Sequence, residues 1–147
     1  MTIFERVKKL NFPLGKYVVV GGIMEAHGIR PAHDIDIAVT PDFLEELIKR
    51  GWPICKCDVC LPALPKRFLK GDGVDILSEL SWKDKYSSKT ETLIKEADIV
   101  EGIPFAKLKE LLNWKKAYCE GLPPENKHVK DIQTIKDHLK SCKCFKS

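Results

Sequence analysis

Two aspartates one residue apart, Asp34 and Asp36, stand in the stretch HDIDIAV, downstream of the glycine pair Gly21-Gly22 that closes the apolar run YVVV. In an extended strand residues two apart share a face, so both acids project together while Ile35 and Ile37 project the other way, into a core. Adjacent carboxylates repel and raise each other's pKa unless water or a positive charge lies between them. A hard divalent cation such as Mg²⁺ relieves that repulsion, because it takes one or two carboxylates and completes its shell with phosphate oxygens. Glycines lacking β-carbons let backbone N–H groups approach a triphosphate where a helix begins. His33, immediately before the acids, is a further candidate for a phosphate contact. The pattern therefore points to a metal and a polyphosphate sharing one pocket. The plainer alternative is a half-exposed strand with its polar face in water and a glycine pair that only turns the chain.

The elements that must position these residues follow from the periodicity. Ile3, Phe4, Val7 and Leu10 recur at helical spacing and predict a short amphipathic helix over residues 2–10, ended by the turn-forming NFPLG. KYVVVGG reads as a buried strand, IMEAHG as a turn or two of helix and HDIDIAV as the second strand. TPDFLEELIKRG carries every mark of a helix: Thr40 at the cap, Pro41 in the first turn, Lys49 and Arg50 late, Gly51 at the exit. Three prolines break the stretch from Trp52 to Gly73, GVDILSEL reads as a third strand, and ADIVEGIPF as a further one. Two helices close the chain, one with Phe105, Leu108, Leu111 and Leu112 as its stripe, the other with Val129, Ile132, Ile135 and Leu139. A strand-rich middle followed by helices predicts an α+β fold, a short mixed β-sheet with helices mainly on one face and a C-terminal helical pair. One domain is expected over residues 1–147, with its core at about 16–103 and the closing helices at about 104–141.

VVVGG, AHGIR and DIDIAV, in that order and at that spacing, resemble the nucleotidyltransferase fold superfamily, in the small branch of minimal nucleotidyltransferases and AbiEii-type toxin proteins. Ala26, His27, Gly28 and Arg30 also fall into the family pattern, and LKELLNWKKAYCEG with HVKDIQTI is similar to its closing helical pair. Asp75 in GVDIL matches the family's third carboxylate. The resemblance covers most of residues 16–139; it departs where the family often has a Ser or Thr near Ala32 or His33, and CKCDVCLPALPKRFLKGDG matches no family pattern.

The resemblance implies a polymerase-beta-like palm that transfers a nucleoside monophosphate from an NTP to a hydroxyl acceptor on a protein, an RNA or a small molecule. Asp34, Asp36 and Asp75 would be catalytic and would hold Mg²⁺ or Mn²⁺, while Gly21, Gly22, Arg30 and His33 would bind the nucleotide. Arg30 suits that role because its planar fork matches phosphate oxygens, although an Arg at a turn is as often one half of a surface pair. Rival implications are a toxin-antitoxin component acting on a partner protein or tRNA, and a catalytically silent binding module on the same scaffold.

Lys115 falls on the apolar stripe of its helix, four residues after Leu111, and so requires a partner; Asp131 is the structural candidate, and the active-site cleft the other. His27, on a short helix beside Gly28, reads as a capping or packing residue, or else as a ligand or base. Cys57 and Cys60 have the spacing of a zinc knuckle, for which Cys142 and Cys144 would have to supply the second half; the plainer reading of the six cysteines is reduced thiols. The start of the chain has no apolar middle like that of a signal peptide, and the longest apolar run, Tyr17 to Met24, is far short of the ~20 residues of a membrane span. A cytoplasmic protein with no membrane partner is expected. Net charge is +4, concentrated in residues 107–147 with 10 Lys against 5 Asp and Glu. That excess is compatible with a polyphosphate or nucleic-acid partner, but a solvated helical face with spare lysines is the commoner explanation.

Overall fold

The computed structural model describes residues 2–29, 31–32, 35–54, 69–71, 73–78, 80–82 and 86–141, with the side chains of 80–82, 86–88, 118, 140 and 141 left aside. The first helix, α1 (Ile3–Leu10), starts because Thr2 accepts the Glu5 N–H on its hydroxyl at 3.2 Å, and stops where Asn11 turns left-handed. The β-branched run that follows forms β1 (Tyr17–Gly21), Gly22 opens the single turn α2 (Ile23–Ala26), and the D-x-D stretch continues into β2 (Ile35–Val39). Thr40 and Pro41 start α3 (Pro41–Lys49).

Three short strands follow: β3 (Leu69–Gly71), β4 (Val74–Leu77) and β5 (Leu80–Trp82), the last pairing with β6 (Tyr86–Ser88) in a separate ribbon. Next come α4 (Thr90–Lys95), β7 (Asp98–Val100) and β8 (Ile103–Phe105), and then the closing helices α5 (Leu108–Cys119) and α6 (Lys127–Ser141). The main sheet has six strands in the order β3-β4-β2-β1-β8-β7. Within it β2 runs parallel to β4 and β1 parallel to β8, while the β1–β2, β3–β4 and β7–β8 pairs are antiparallel. The fold is α+β with a mixed sheet, as the periodicity predicts.

Alternation along the central strands divides the core in two. Tyr17, Val19, Ile35, Ile37, Val39, Ile76 and Phe105 join Ile3 and Val7 of α1 and Phe43, Leu44 and Leu47 of α3. Val18, Val20, Ala38 and Leu77 join Leu93 of α4, Leu108, Leu112 and Trp114 of α5, and Ile135 of α6, with Ile23 and Met24 of α2 beside them. Four of the six helices among the described residues thus contribute to the second cluster. Because β1 is covered on both sides, it reads as a continuous apolar run with no alternation.

The structure differs from the periodicity in several places: GVDILSEL is divided between β4, which ends at Leu77, and β5, which begins at Leu80, and α4 lies where no helix is expected. ADIVEGIPF holds two strands, joined by the two-residue turn of Glu101 and Gly102, both at positive φ. Phe105 belongs to β8, in register with Val19 and edge-on to Phe4 at 5.9 Å, so α5 begins three residues later than the apolar stripe suggests. An apolar residue at helical spacing from Leu108 and Leu112 cannot be told from the last residue of a buried strand by pattern alone.

Between α5 and α6, Lys115 Nζ lies 3.0 Å from Asp131 Oδ2 and 3.2 Å from His128 Nδ1, its side chain only 13% exposed and that of Asp131 11%. The structural pairing of Lys115 is the one formed. Asp131→Ala would strand a sheltered ammonium and is expected to cost roughly 3 kcal/mol in urea unfolding, whereas Lys115→Met with Asp131→Leu should recover most of that loss.

Candidate active site

The register of three strand pairs brings Gly21, Asp36, Asp75 and Lys70 into one row. Gly21 of β1 pairs with Asp36 of β2, Asp36 with Asp75 of β4, and Asp75 with Lys70 of β3. Directly paired residues project to the same face, so the two carboxylates are cross-strand neighbours on strands ~4.8 Å apart. They are half-buried and belong to the face that carries Ala38 and Leu77, at the end of the strands where that apolar cluster gives out. Ile35, Ile37 and Ile76 lie on the opposite face, fully buried. Lys70, at the outer end of the row, is exposed.

Glycine at position 21 is required by Asp36. A β-carbon there would sit 2.8 Å from both Cβ and Cγ of Asp36, closer than side-chain carbons approach, so only glycine lets the carboxylate lie across the end of β1. At Gly22, with φ +114°, a β-carbon would strike Ile3 Cδ1 and lie 3.7 Å from Cβ of Ala32. The room left by both missing side chains is taken by protein atoms, which is a packing reason for the glycine pair that the sequence alone does not disclose.

The fit to a cation rests on the donor set: two carboxylates in register, half-exposed, with like charge concentrated on one face. Among the described residues no group of three or more His, Cys, Asp or Glu side chains could hold a metal. Asp34, Arg30 and His33 lie outside the described residues, as do Cys57, Cys60, Cys142 and Cys144 of the proposed zinc knuckle. The described cysteine, Cys119, is buried in α5 and is not part of a disulfide.

One functional candidate escapes the sequence reading. Glu25 of α2 accepts the Ile3 N–H on Oε2 and the Ala32 N–H on Oε1, the latter at 2.8 Å, tying the start of α1 to the chain that leads into β2. An acid on a one-turn helix carries no periodic or motif signal, so nothing local marks it.

His27 takes the packing role. It ends α2, its ring meets His138 of α6 edge-on at 5.8 Å, and its Nε2 is buried with no hydrogen-bond partner among the described residues. Burial, reinforced by His138 and opposed by Asp98, holds its pKa below the ordinary 6.5. The fold therefore binds the neutral ring and takes up fewer protons than the unfolded chain. The resulting stability is present above pH 6.5 and is lost as pH falls through the depressed value. Melting temperature should fall between pH 7 and pH 5, and His27→Leu should flatten that slope. Gly21→Ala is expected to cost about 2 kcal/mol in urea unfolding, since Asp36 or the strand must give way.

No protein-family model matches the chain, and comparison with curated proteins finds no match. Among solved structures, ANT(2'')-Ia in complex with adenylyl-2''-tobramycin is similar with a TM-score of 0.49 and 17% identity, over 95% of this chain and 85% of that one. A candidate nucleotidyltransferase from Thermotoga maritima is similar with a TM-score of 0.46 and 19% identity, over 96% of each chain.

Proposed function

We propose that the chain transfers a nucleoside monophosphate from an NTP to a hydroxyl acceptor, with Asp34, Asp36 and Asp75 as its catalytic carboxylates. The observation that carries this reading is the register of Asp36 with Asp75, two acids from strands far apart in sequence made neighbours on one sheet face. Two carboxylates at facing positions on one sheet face are the kind of donor set that a hard divalent cation takes. The sequence resemblance through VVVGG and DIDIAV supports the same conclusion independently.

In this reading Asp36, Asp75 and Asp34 hold Mg²⁺ or Mn²⁺. That cation, when bound, neutralises charge on the triphosphate and orients the α-phosphorus. Gly21 and Gly22 offer backbone N–H groups, Arg30 its guanidinium and His33 a ring nitrogen to the phosphate oxygens. Asp75 accepts the proton of the attacking hydroxyl as its oxygen bonds to the α-phosphorus. The bridging P–O bond breaks in line, and pyrophosphate leaves with the electron pair. Lys70, opposite Asp75, limits the negative charge at that end of the row.

Calorimetric titration of each NTP with and without Mg²⁺ tests the proposal. The wild type should bind only with the metal, and Asp36→Asn or Asp75→Asn should weaken binding by about tenfold or more, the loss of a charge-assisted contact. Absence of binding by the wild type at millimolar NTP would overturn the reading of the row as a nucleotide site.

A further inference from the structure

The carboxylate of Glu25 serves two segments at once, and both partners are backbone donors. Ile3 is the first residue of α1, whose opening N–H groups have no partner within the helix. Thr2 takes the Glu5 N–H and Glu25 takes that of Ile3, placing negative charge where the helix dipole favours it. The other oxygen holds the Ala32 N–H. Further along, the Ile35 N–H donates to the Gly73 carbonyl at 3.2 Å, and Arg6 of α1 donates Nη2 to that same carbonyl at 3.2 Å. The chain is thus anchored at Ala32 and again at Ile35, on either side of Asp34 in sequence, and α1 takes part in both anchors. Gly73 immediately precedes β4, so the second anchor also joins the starts of the two acid-bearing strands.

We propose that Glu25, with Arg6 as its counterpart on α1, is a positioning residue for the acid row: the two side chains clamp the entry to β2 against α1 and against the start of β4. This rests on the row being a metal-nucleotide site. The clamp requires a carboxylate at position 25, because two N–H donors need two acceptors, and a glutamine would turn its amide NH₂ toward one of them. Neither Glu25 nor Arg6 contacts substrate in this scheme; they act through the backbone that carries Asp34 and Asp36.

The deciding experiment compares Glu25→Gln and Arg6→Gln with the wild type by amide hydrogen exchange over residues 28–36, by Mg²⁺-ATP calorimetry, and by circular dichroism to fix a temperature at which all three are folded. For Glu25→Gln, exchange at Ala32 should accelerate and Mg²⁺-ATP affinity should fall, each by about tenfold. For Arg6→Gln, whose hydrogen bond to Gly73 is exposed, both changes should be about threefold, with faster exchange centred on Ile35. Should Glu25→Gln fail to fold, Arg6→Gln decides alone. Unchanged exchange in the folded variants overturns the clamp. Faster exchange with affinity held within twofold of wild type, a change of about 0.4 kcal/mol, overturns its positioning role and leaves the nucleotide site standing. No Mg²⁺-ATP binding by the wild type refutes the nucleotide site itself, and the positioning role falls with it whatever the exchange shows.

Discussion

The pairing of β2 between β1 and β4 is the constraint from which the rest of the molecule follows. Side chains on a strand alternate with period two, so slipping β2 by one residue would turn Ile35, Ile37 and Val39 out of one core and drive Asp36 into it. Both faces of this strand are covered, by α1 and α3 on one side and by α4, α5 and α6 on the other, so the penalty for a slip falls on both faces at once. The same hydrophobic burial that fixes the register therefore holds Asp36 opposite Asp75. Two like charges stay adjacent because the apolar residues around them leave the strands no other alignment.

Such a row needs support at its ends. Gly21 removes the one side chain that would collide with Asp36, Lys70 stands beyond Asp75, and the clamp of Glu25 and Arg6 anchors the backbone on the approach to β2. Helix α1 is central to this support: Ile3 fills the space beside Gly22, offers its N–H to Glu25 and is buried in the first core. Eight residues remote in sequence from the acids are in this way part of what holds them.

Charge elsewhere is kept separate from the row. Lys115, which could have reached toward a cleft, is instead satisfied by Asp131 and His128 within the α5–α6 pair. A sheltered ammonium with its carboxylate beside it makes the helical pair self-contained, with its apolar residues turned to the sheet and its ion pair between the helices. His27 likewise packs against His138, joining α2 to α6.

What the sequence determined by itself is whatever depends on short spacings. The run of α3, the apolar stripe of α6 and the covered strand YVVV are all encoded within a few residues by periods of 3.6 and 2 and by Gly and Pro at their ends. Tertiary structure decided the rest. Asp75 became the neighbour of Asp36 through strand register, a relation between residues distant in sequence that no local pattern carries; the resemblance pointed to Asp75, but its place beside Asp36 is set by the parallel pairing. Phe105 went to β8 because Val19 accepted it as a strand partner, although its spacing also suits a helix. Glu25 gained its place because two backbone N–H groups from distant segments met its carboxylate, and that meeting exists only once the chain has folded.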